Sequence, residues 1–107
     1  MELHVNTENL DWQEGKVKNF FGKDLINLPN GTLKLVKINP NATYPIHQHP
    51  DKTEYVYVLE GTPSFTINGT HYEGEPGHFF IFPNNTMHAI ENPSATTCLI
   101  LVGAIKI

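Results

Sequence analysis

Short runs in which apolar and polar residues alternate recur along this chain of 107 residues. Residues 32–38, TLKLVKI, alternate as a half-buried strand does. Similar runs at residues 78–82, 87–91 and 97–107 are bounded by breaks rich in proline, glycine and asparagine. No segment carries an apolar stripe at helical spacing. The pattern predicts an all-β fold, an antiparallel sandwich or barrel with little or no helix.

The clearest local signal is an Asn-Gly pair between two alternating runs. Asn68 and Gly69 separate residues 64–67 from residues 70–73. Both residue types tolerate the positive φ that a type I′ turn requires at its two central positions. We therefore predict a β-hairpin over residues 64–73.

The chain contains neither a linker nor an internal repeat, and its length suits a single domain over residues 1–107. Residues 1–15 are polar, with scattered apolar positions and no clear period. We expect residues 1–30 to form edge strands or an arm beside the main barrel.

The charge balance limits the kinds of partner. The formal net charge is -4, and all seven basic residues are lysines. No cationic surface is left for a phosphate backbone, so we expect no nucleic-acid partner. The lack of arginine also argues against bidentate clamps for carboxylate or phosphate groups. We expect a small-molecule ligand that is neutral or bound through a metal.

Cysteine use and the N-terminus bear on the compartment. The single cysteine, Cys98, excludes an intrachain disulfide, and its apolar surroundings favour a buried, inert thiol. The N-terminal residues lack the basic and apolar regions of a signal peptide, and no apolar run is long enough to span a membrane. We expect a soluble cytoplasmic protein without a membrane partner.

Residues 44–61, YPIHQHPDKTEYVYVLEG, carry the strongest candidate chemistry. On a strand, His47 and His49 would point the same way, about 6.5 Å apart. A turn favoured by the Pro-Asp pair would bring Glu54 back toward them. Two imidazoles and a carboxylate suit a transition metal, although a His-x-His pair also occurs by chance. A fourth candidate, His88, reaches this group only if the fold brings it there.

Two stretches, residues 41–61 and residues 77–92, resemble the two motifs of the cupin superfamily. The first motif contains a glycine, a His-x-His pair, a glutamate and a second glycine. Its positions here are Asn41, His47, His49, Glu54 and Gly61. The second motif contains a glycine, a proline, another glycine, a histidine and an asparagine. Its positions here are Gly77, Pro83, Asn85, His88 and Asn92.

Two motif glycines are replaced, by Asn41 and Asn85. Those glycines supply turn conformations, and asparagine is among the other residues that best tolerate left-handed φ. We expect both turns to be kept.

The resemblance implies a double-stranded β-helix, or jelly-roll barrel. It also implies one divalent transition metal, bound near the mouth of the barrel by His47, His49, Glu54 and His88. The donor set does not choose among Fe, Mn, Ni, Cu and Zn. The remaining histidines are interpreted as exposed residues that bind no metal: His4, His71 and His78.

Cupins commonly pair through a sheet, so the resemblance also implies a homodimer. Strand parity places Tyr55 and Tyr57 on the outer face, where they are candidates for the interface. Trp12 is a third candidate.

Strand parity also predicts a pocket. If Glu54 faces inward, Val56 and Val58 do so too, and Phe80 and Phe82 would complete a small apolar wall. These residues are equally well explained as filling of the barrel. Lys52 is a candidate for contact with a substrate, although a solvated lysine is commoner.

Three functions from different classes fit these residues. The first is a metal-dependent oxygenase acting on a small neutral or chelating molecule. The second is a non-catalytic module that binds or senses a small ligand. The third, disfavoured because no proton-transfer residue is evident, is a metal-dependent isomerase or lyase of a sugar or keto acid. The catalytic residues are not identifiable from the sequence.

Overall fold

The computed structural model describes residues 2–107, which contain a 3₁₀ turn at Thr7–Asn9, ten strands and no α-helix. The strands are β1 (Gln13–Glu14), β2 (Phe20–Leu28), β3 (Gly31–Ile38), β4 (Thr43–His47), β5 (Lys52–Glu60), β6 (Ser64–Ile67), β7 (Thr70–Glu73), β8 (Phe79–Phe82), β9 (His88–Glu91) and β10 (Cys98–Lys106). The all-β prediction is confirmed.

The strands form two antiparallel sheets of a jelly-roll barrel, as predicted. The larger sheet has the order β1-β2-β3-β10-β5-β8, and the smaller has the order β4-β9-β6-β7. The C-terminal strand β10 lies between β3 and β5, so strands distant in sequence become neighbours. This topology is what allows the two halves of the chain to contribute to one site.

Residues with a left-handed backbone conformation lie in the turns that the sequence predicts. Asn68 and Gly69 have φ values of 50° and 80°, and β6 pairs with β7 around them. The predicted hairpin is confirmed. Asn41 and Asn85, which replace two glycines, have φ values of 62° and 58°. Asparagine therefore supplies the left-handed conformation at both positions.

The core lies between the sheets, and most of its residues occupy inward positions of the larger one. Inward residues of β5, β10 and β3 lie side by side in three successive rows: Val58, Ile100 and Val36; Val56, Val102 and Lys34; Glu54, Ala104 and Thr32. The first row is buried and apolar, whereas the third carries a carboxylate. Polarity thus increases toward one end of the barrel, and the candidate site lies at that end.

The N-terminal segment packs against its own sheet. Lys23 on β2 is 8% exposed, and its Nζ donates a hydrogen bond to Thr7 O at 2.8 Å. The Trp12 ring lies 4.5 Å from Lys23 Nζ and 4.9 Å from Lys37 Nζ, within cation–π distance of both. Trp12, expected at a dimer interface, is thus engaged within its own chain.

Among residues 2–107, no helix combines the length and the hydropathy needed to span a membrane. The cytoplasmic location and the lack of a nucleic-acid partner stay predictions from the sequence.

Candidate metal centre

The barrel brings the four predicted ligands together from both sheets. His47 ends β4, Glu54 lies in β5, and His88 begins β9. His49 was expected on the same strand as His47, but the strand ends at His47. The reason is that the chain leaves the sheet there, and the His49 carbonyl accepts a hydrogen bond from Asn85 N–H at 2.7 Å instead of pairing in the ladder.

The donor atoms converge on one point. One nitrogen or oxygen atom from each of the four ligands lies within 4.8 Å of the other three. Glu54 Oε1 is 3.2 Å from both His49 Nε2 and His88 Nε2. Ligands on opposite sides of one transition metal lie about 4.2 Å apart. The separations are therefore close to those of a site for a single ion.

Backbone carbonyls fix the orientation of two imidazole rings. His47 Nδ1 lies 2.7 Å from Pro45 O, and His88 Nδ1 lies 3.1 Å from Thr86 O. A carbonyl oxygen can only accept, so each Nδ1 must carry the proton. Nε2 of each neutral ring is then left with its lone pair free, which is how backbone contacts prepare histidines for a metal.

His88 provides the best test of whether the residues fit a metal. Its side chain is 3% exposed, and its Nε2 is buried without a hydrogen-bond partner among the described residues. Glu54 Oε1 lies 3.2 Å away, but a carboxylate oxygen only accepts hydrogen bonds and cannot satisfy the lone pair of this nitrogen. A buried nitrogen without a partner costs about 1–3 kcal/mol. Coordination of a metal by this lone pair would remove the cost, so the residues present fit a metal.

The charges in the site favour the protonation states that bind metals. Burial on its own raises the pKa of Glu54, but contact with His88 and the charges of Lys52, His49 and His88 outweigh burial and hold the pKa below its ordinary value. The pKa of His49 is also lowered, first because burial disfavours the imidazolium, with only part of that effect offset by Glu54. Carboxylate and neutral imidazole are therefore both favoured.

Phe82 holds the buried histidine in place. Its ring stacks on His88 with centroids 4.3 Å apart and an interplanar angle of 16°. Phe82 is 2% exposed, so the stacked pair is fixed by the core on one side and faces the site on the other. Phe82, one of the residues predicted to form the apolar wall, is thus in direct contact with the candidate metal ligand His88.

A cavity of about 850 Å³ opens next to the four ligands. Its wall includes Phe82, as predicted from the sequence. Val56 and Val58 are fully buried core residues, and Phe80 packs against Phe65 with centroids 4.4 Å apart. These three do not line the cavity, whose wall on the larger sheet is formed mainly by β2, β3 and β10. The apolar lining comes instead from Phe20, Val36, Ile90, Ile100 and Val102.

Tyr44 is a cavity residue that the sequence did not identify. Its ring lies 4.8 Å from that of His47 and 5.2 Å from that of Phe20. The register of β4 shifts between Tyr44 and His47, which puts two residues of opposite parity on one face. Pro45, which cannot donate to the ladder, was the available signal. Burial, with a smaller contribution from Glu54, raises the pKa of Tyr44 and keeps it a phenol.

The other predicted residues lie away from the centre. His4, His71 and His78 are exposed, and His71 Nε2 lies 3.6 Å from Glu73 Oε1. Tyr57 is 41% exposed on the outer face, and Tyr55 packs over Gly103, where a Cβ would meet its ring. Cys98 is fully buried, as expected, and burial raises the pKa of its thiol.

The fold and the four converging donors define a jelly-roll barrel with a candidate histidine–carboxylate metal site. A sequence model of the cupin domain matches residues 34–103, well over half of the chain. The chain belongs to the cupin family, as its two motifs indicate. Among curated proteins, no sequence matches it.

Solved structures share the whole fold. A predicted oxalate decarboxylase from Thermotoga maritima is 18% identical, with a TM-score of 0.90 over 98% of this chain and 100% of that chain. KdgF from Halomonas sp. is 23% identical, with a TM-score of 0.84 over 100% and 96%. The polyketide cyclase RemF from Streptomyces resistomycificus is 25% identical, with a TM-score of 0.83 over 98% and 80%. These proteins carry different names on one architecture, so the fold alone does not define a reaction.

Proposed function

We propose that this cupin binds one divalent transition metal through His47, His49, Glu54 and His88 and uses it to act on a small molecule in the adjoining cavity. The observation that carries the proposal is the buried, unpartnered His88 Nε2 among three other metal-binding donors. The contacts of His47 Nδ1 and His88 Nδ1 with backbone carbonyls, which leave both Nε2 lone pairs free, also support it. We also propose that the domain includes residues 2–33, which precede the matched residues. β1 and β2 lie in the same sheet as β3, β10 and β5, which belong to the matched part. Met1 lies outside the described residues.

A divalent metal here would supply Lewis acidity and, for iron, manganese or copper, redox chemistry. The protein residues hold and shield it. Glu54 contributes the single negative charge of the donor set, His88 and Phe82 close the buried side, and the other two histidines are partly exposed. An octahedral metal held by these four residues would keep two positions for other ligands.

The first candidate activity is that of a metal-dependent oxygenase. A metal held by these four residues would supply the redox chemistry of an oxygenase, and the apolar lining, which includes Phe20 and Val102, suits a small organic body. The experiment is metal analysis of untagged protein, followed by oxygen uptake with diketones, thiols and catechols. Iron with substrate-dependent oxygen uptake is expected. Stoichiometric metal with no uptake across the panel would contradict the oxygenase and favour a non-catalytic binding module.

A second candidate activity, isomerase or lyase, gains support from Tyr44. A neutral phenol beside His47 in the cavity is the kind of group that moves protons during isomerisation or elimination. Comparison of the wild type with Tyr44→Phe on keto-acid and sugar substrates tests it. A drop in kcat of about a hundredfold with unchanged metal content is expected. Equal rates in the two proteins would contradict a proton-transfer role.

We propose in addition that the protein is a homodimer through the outer face of its larger sheet. That face contains a shallow apolar depression, which is lined by Thr53, Tyr55, Phe79, Ile81 and Ile105. Phe79, Ile81 and Ile105 are each more than half exposed. Because β8 is an edge strand, this depression is open to a second copy of the chain. Under twofold symmetry, the same apolar depression of each copy would face that of the other.

A further inference from the structure

Lys52 stands beside the proposed metal centre without a close partner. It lies at the start of β5, two positions before Glu54, so both side chains share the inward face. Its Nζ is 3.9 Å from Glu54 Oε2, beyond hydrogen-bond distance. No other ion pair or hydrogen bond of this side chain is present within residues 2–107. The side chain is 35% exposed and lines the cavity.

The two oxygens of Glu54 have different surroundings. Oε1 faces His49 Nε2 and His88 Nε2, which makes it the oxygen placed for a metal. Oε2 faces Lys52. If a divalent metal bound Glu54, the carboxylate would neutralise the ammonium charge of Lys52 only weakly. An ammonium group and a divalent ion would then lie on the cavity side with a single carboxylate between them, which favours an anionic ligand.

We propose that Lys52 makes this centre select small molecules that approach the metal through a carboxylate, such as 2-oxo or 2-hydroxy acids with an apolar body. This inference rests on the proposed metal site. The lack of arginine excludes a bidentate guanidinium clamp, but an ammonium group recognises a carboxylate oxygen as a point charge. The apolar body would lie along the wall formed by Val36 and Val102.

Binding to cobalt-loaded protein tests the proposal without turnover. The visible absorption of bound Co²⁺ reports a change in its ligands, and calorimetry gives the affinity. The matched probes are 2-oxoisovalerate and its uncharged amide. The variants are Lys52→Gln and Lys34→Gln, the second removing a lysine that lines the same cavity two strands away and leans over Gly22.

The expected result is a loss of about tenfold to a hundredfold in affinity for the acid in Lys52→Gln, with cobalt stoichiometry and amide binding unchanged. Lys34→Gln should retain the affinity of the wild type for the acid. Equal losses for acid and amide, no loss, an equal loss in Lys34→Gln, or no acid binding by the cobalt-loaded wild type would overturn the role of Lys52. Failure of the wild type to bind cobalt would instead overturn the metal site itself.

Discussion

His47 and His88 lie directly opposite each other on adjacent antiparallel strands, with ring centroids 4.2 Å apart. The Nδ1 of each ring contacts the backbone carbonyl two residues earlier, that of Pro45 or Thr86. The two halves of the chain thus present imidazoles with the same tautomer to one point. This pairing makes the two histidines natural sites for substitution.

Alanine at either of these histidines should abolish metal binding. His88→Ala and His47→Ala each remove one of four donors, and the loss of a single ligand commonly prevents retention of the metal through purification. Metal content by elemental analysis measures the effect. His71→Ala, at an exposed histidine outside the site, is the control and should keep the metal content of the wild type. A full equivalent of metal in both site variants would exclude the assignment.

The metal-free protein should lose stability in two steps on acidification. The folded-state pKa of His49 is below the ordinary value of 6.5, so the unfolded chain takes up a proton first as the pH falls through that value. Glu54 acts in the same direction below its ordinary value of 4.5, and its contribution is lost as the pH falls through its folded-state pKa. Urea denaturation from pH 7.5 down to about pH 3 measures both steps, because the first begins below pH 6.5 and the second below pH 4.5.

Glu54→Gln separates the two steps in the metal-free protein. The variant should keep the loss below pH 6.5 and lack the part due to Glu54 below pH 4.5. Stability that rises as the wild type is acidified through pH 6.5 would contradict the pKa direction of His49, and equal losses of wild type and Glu54→Gln below pH 4.5 would contradict that of Glu54.

Gly61→Ala should destabilise the fold far more than Gly77→Ala. Both glycines have positive φ, 85° and 92°. A Cβ on Gly61 would lie 2.7 Å from Cys98 Sγ and 3.0 Å from the Cys98 backbone, whereas a Cβ on Gly77 would meet nothing within 4 Å. We expect a cost of about 1–2 kcal/mol for Gly77→Ala from backbone strain alone, and about 1–3 kcal/mol more for Gly61→Ala.

Chemical denaturation of the two glycine variants measures this difference. Cys98→Ala in the Gly61→Ala background should recover part of the loss, because it removes the clash with sulfur and leaves the clash with the backbone of residue 98. Equal stabilities of Gly61→Ala and Gly77→Ala would show that the close approach is without consequence.

Asn92 should prove essential for stability. Its side chain is fully buried, and the two N–H bonds of Nδ2 are shared among the carbonyls of Ile38, Asn39 and Thr96 at 3.1, 3.2 and 2.7 Å. Asn92→Asp keeps the shape but replaces the donor Nδ2 with an acceptor oxygen that faces three carbonyls. We expect a loss of about 3 kcal/mol or more in the free energy of unfolding. Asn27→Asp, at an exposed position, should change it by less than about 0.5 kcal/mol; similar losses in the two variants would contradict the role of Asn92.

Ile81→Lys should convert the proposed homodimer to a monomer. The substitution places a charge in the apolar depression on the outer face, where it cannot be paired. Light scattering after size exclusion gives the mass. Ile46→Lys, at a residue of similar exposure on the smaller sheet, is the matched control and should remain dimeric. A monomeric wild type at high micromolar concentration would rule out the interface.

The sequence by itself determined the strand pattern, the hairpin and the two spaced motifs that contain the four candidate donors. Alternation, turn residues and motif spacing are local properties, and they are fixed before the chain folds. Asn41 and Asn85 illustrate this, since their left-handed backbones follow from residue chemistry at turn positions.

Only the tertiary structure decided which side chains surround those donors. Strand parity placed Val56 and Val58 at the cavity, but both are fully buried in the core, and β2, β3 and β10 supply the wall instead. A register shift brought Tyr44 onto the face of His47, and an early strand end moved His49 into a loop. Contacts between strands distant in sequence, and the bulges that adjust them, depend on packing across the whole barrel, and local pattern does not encode them.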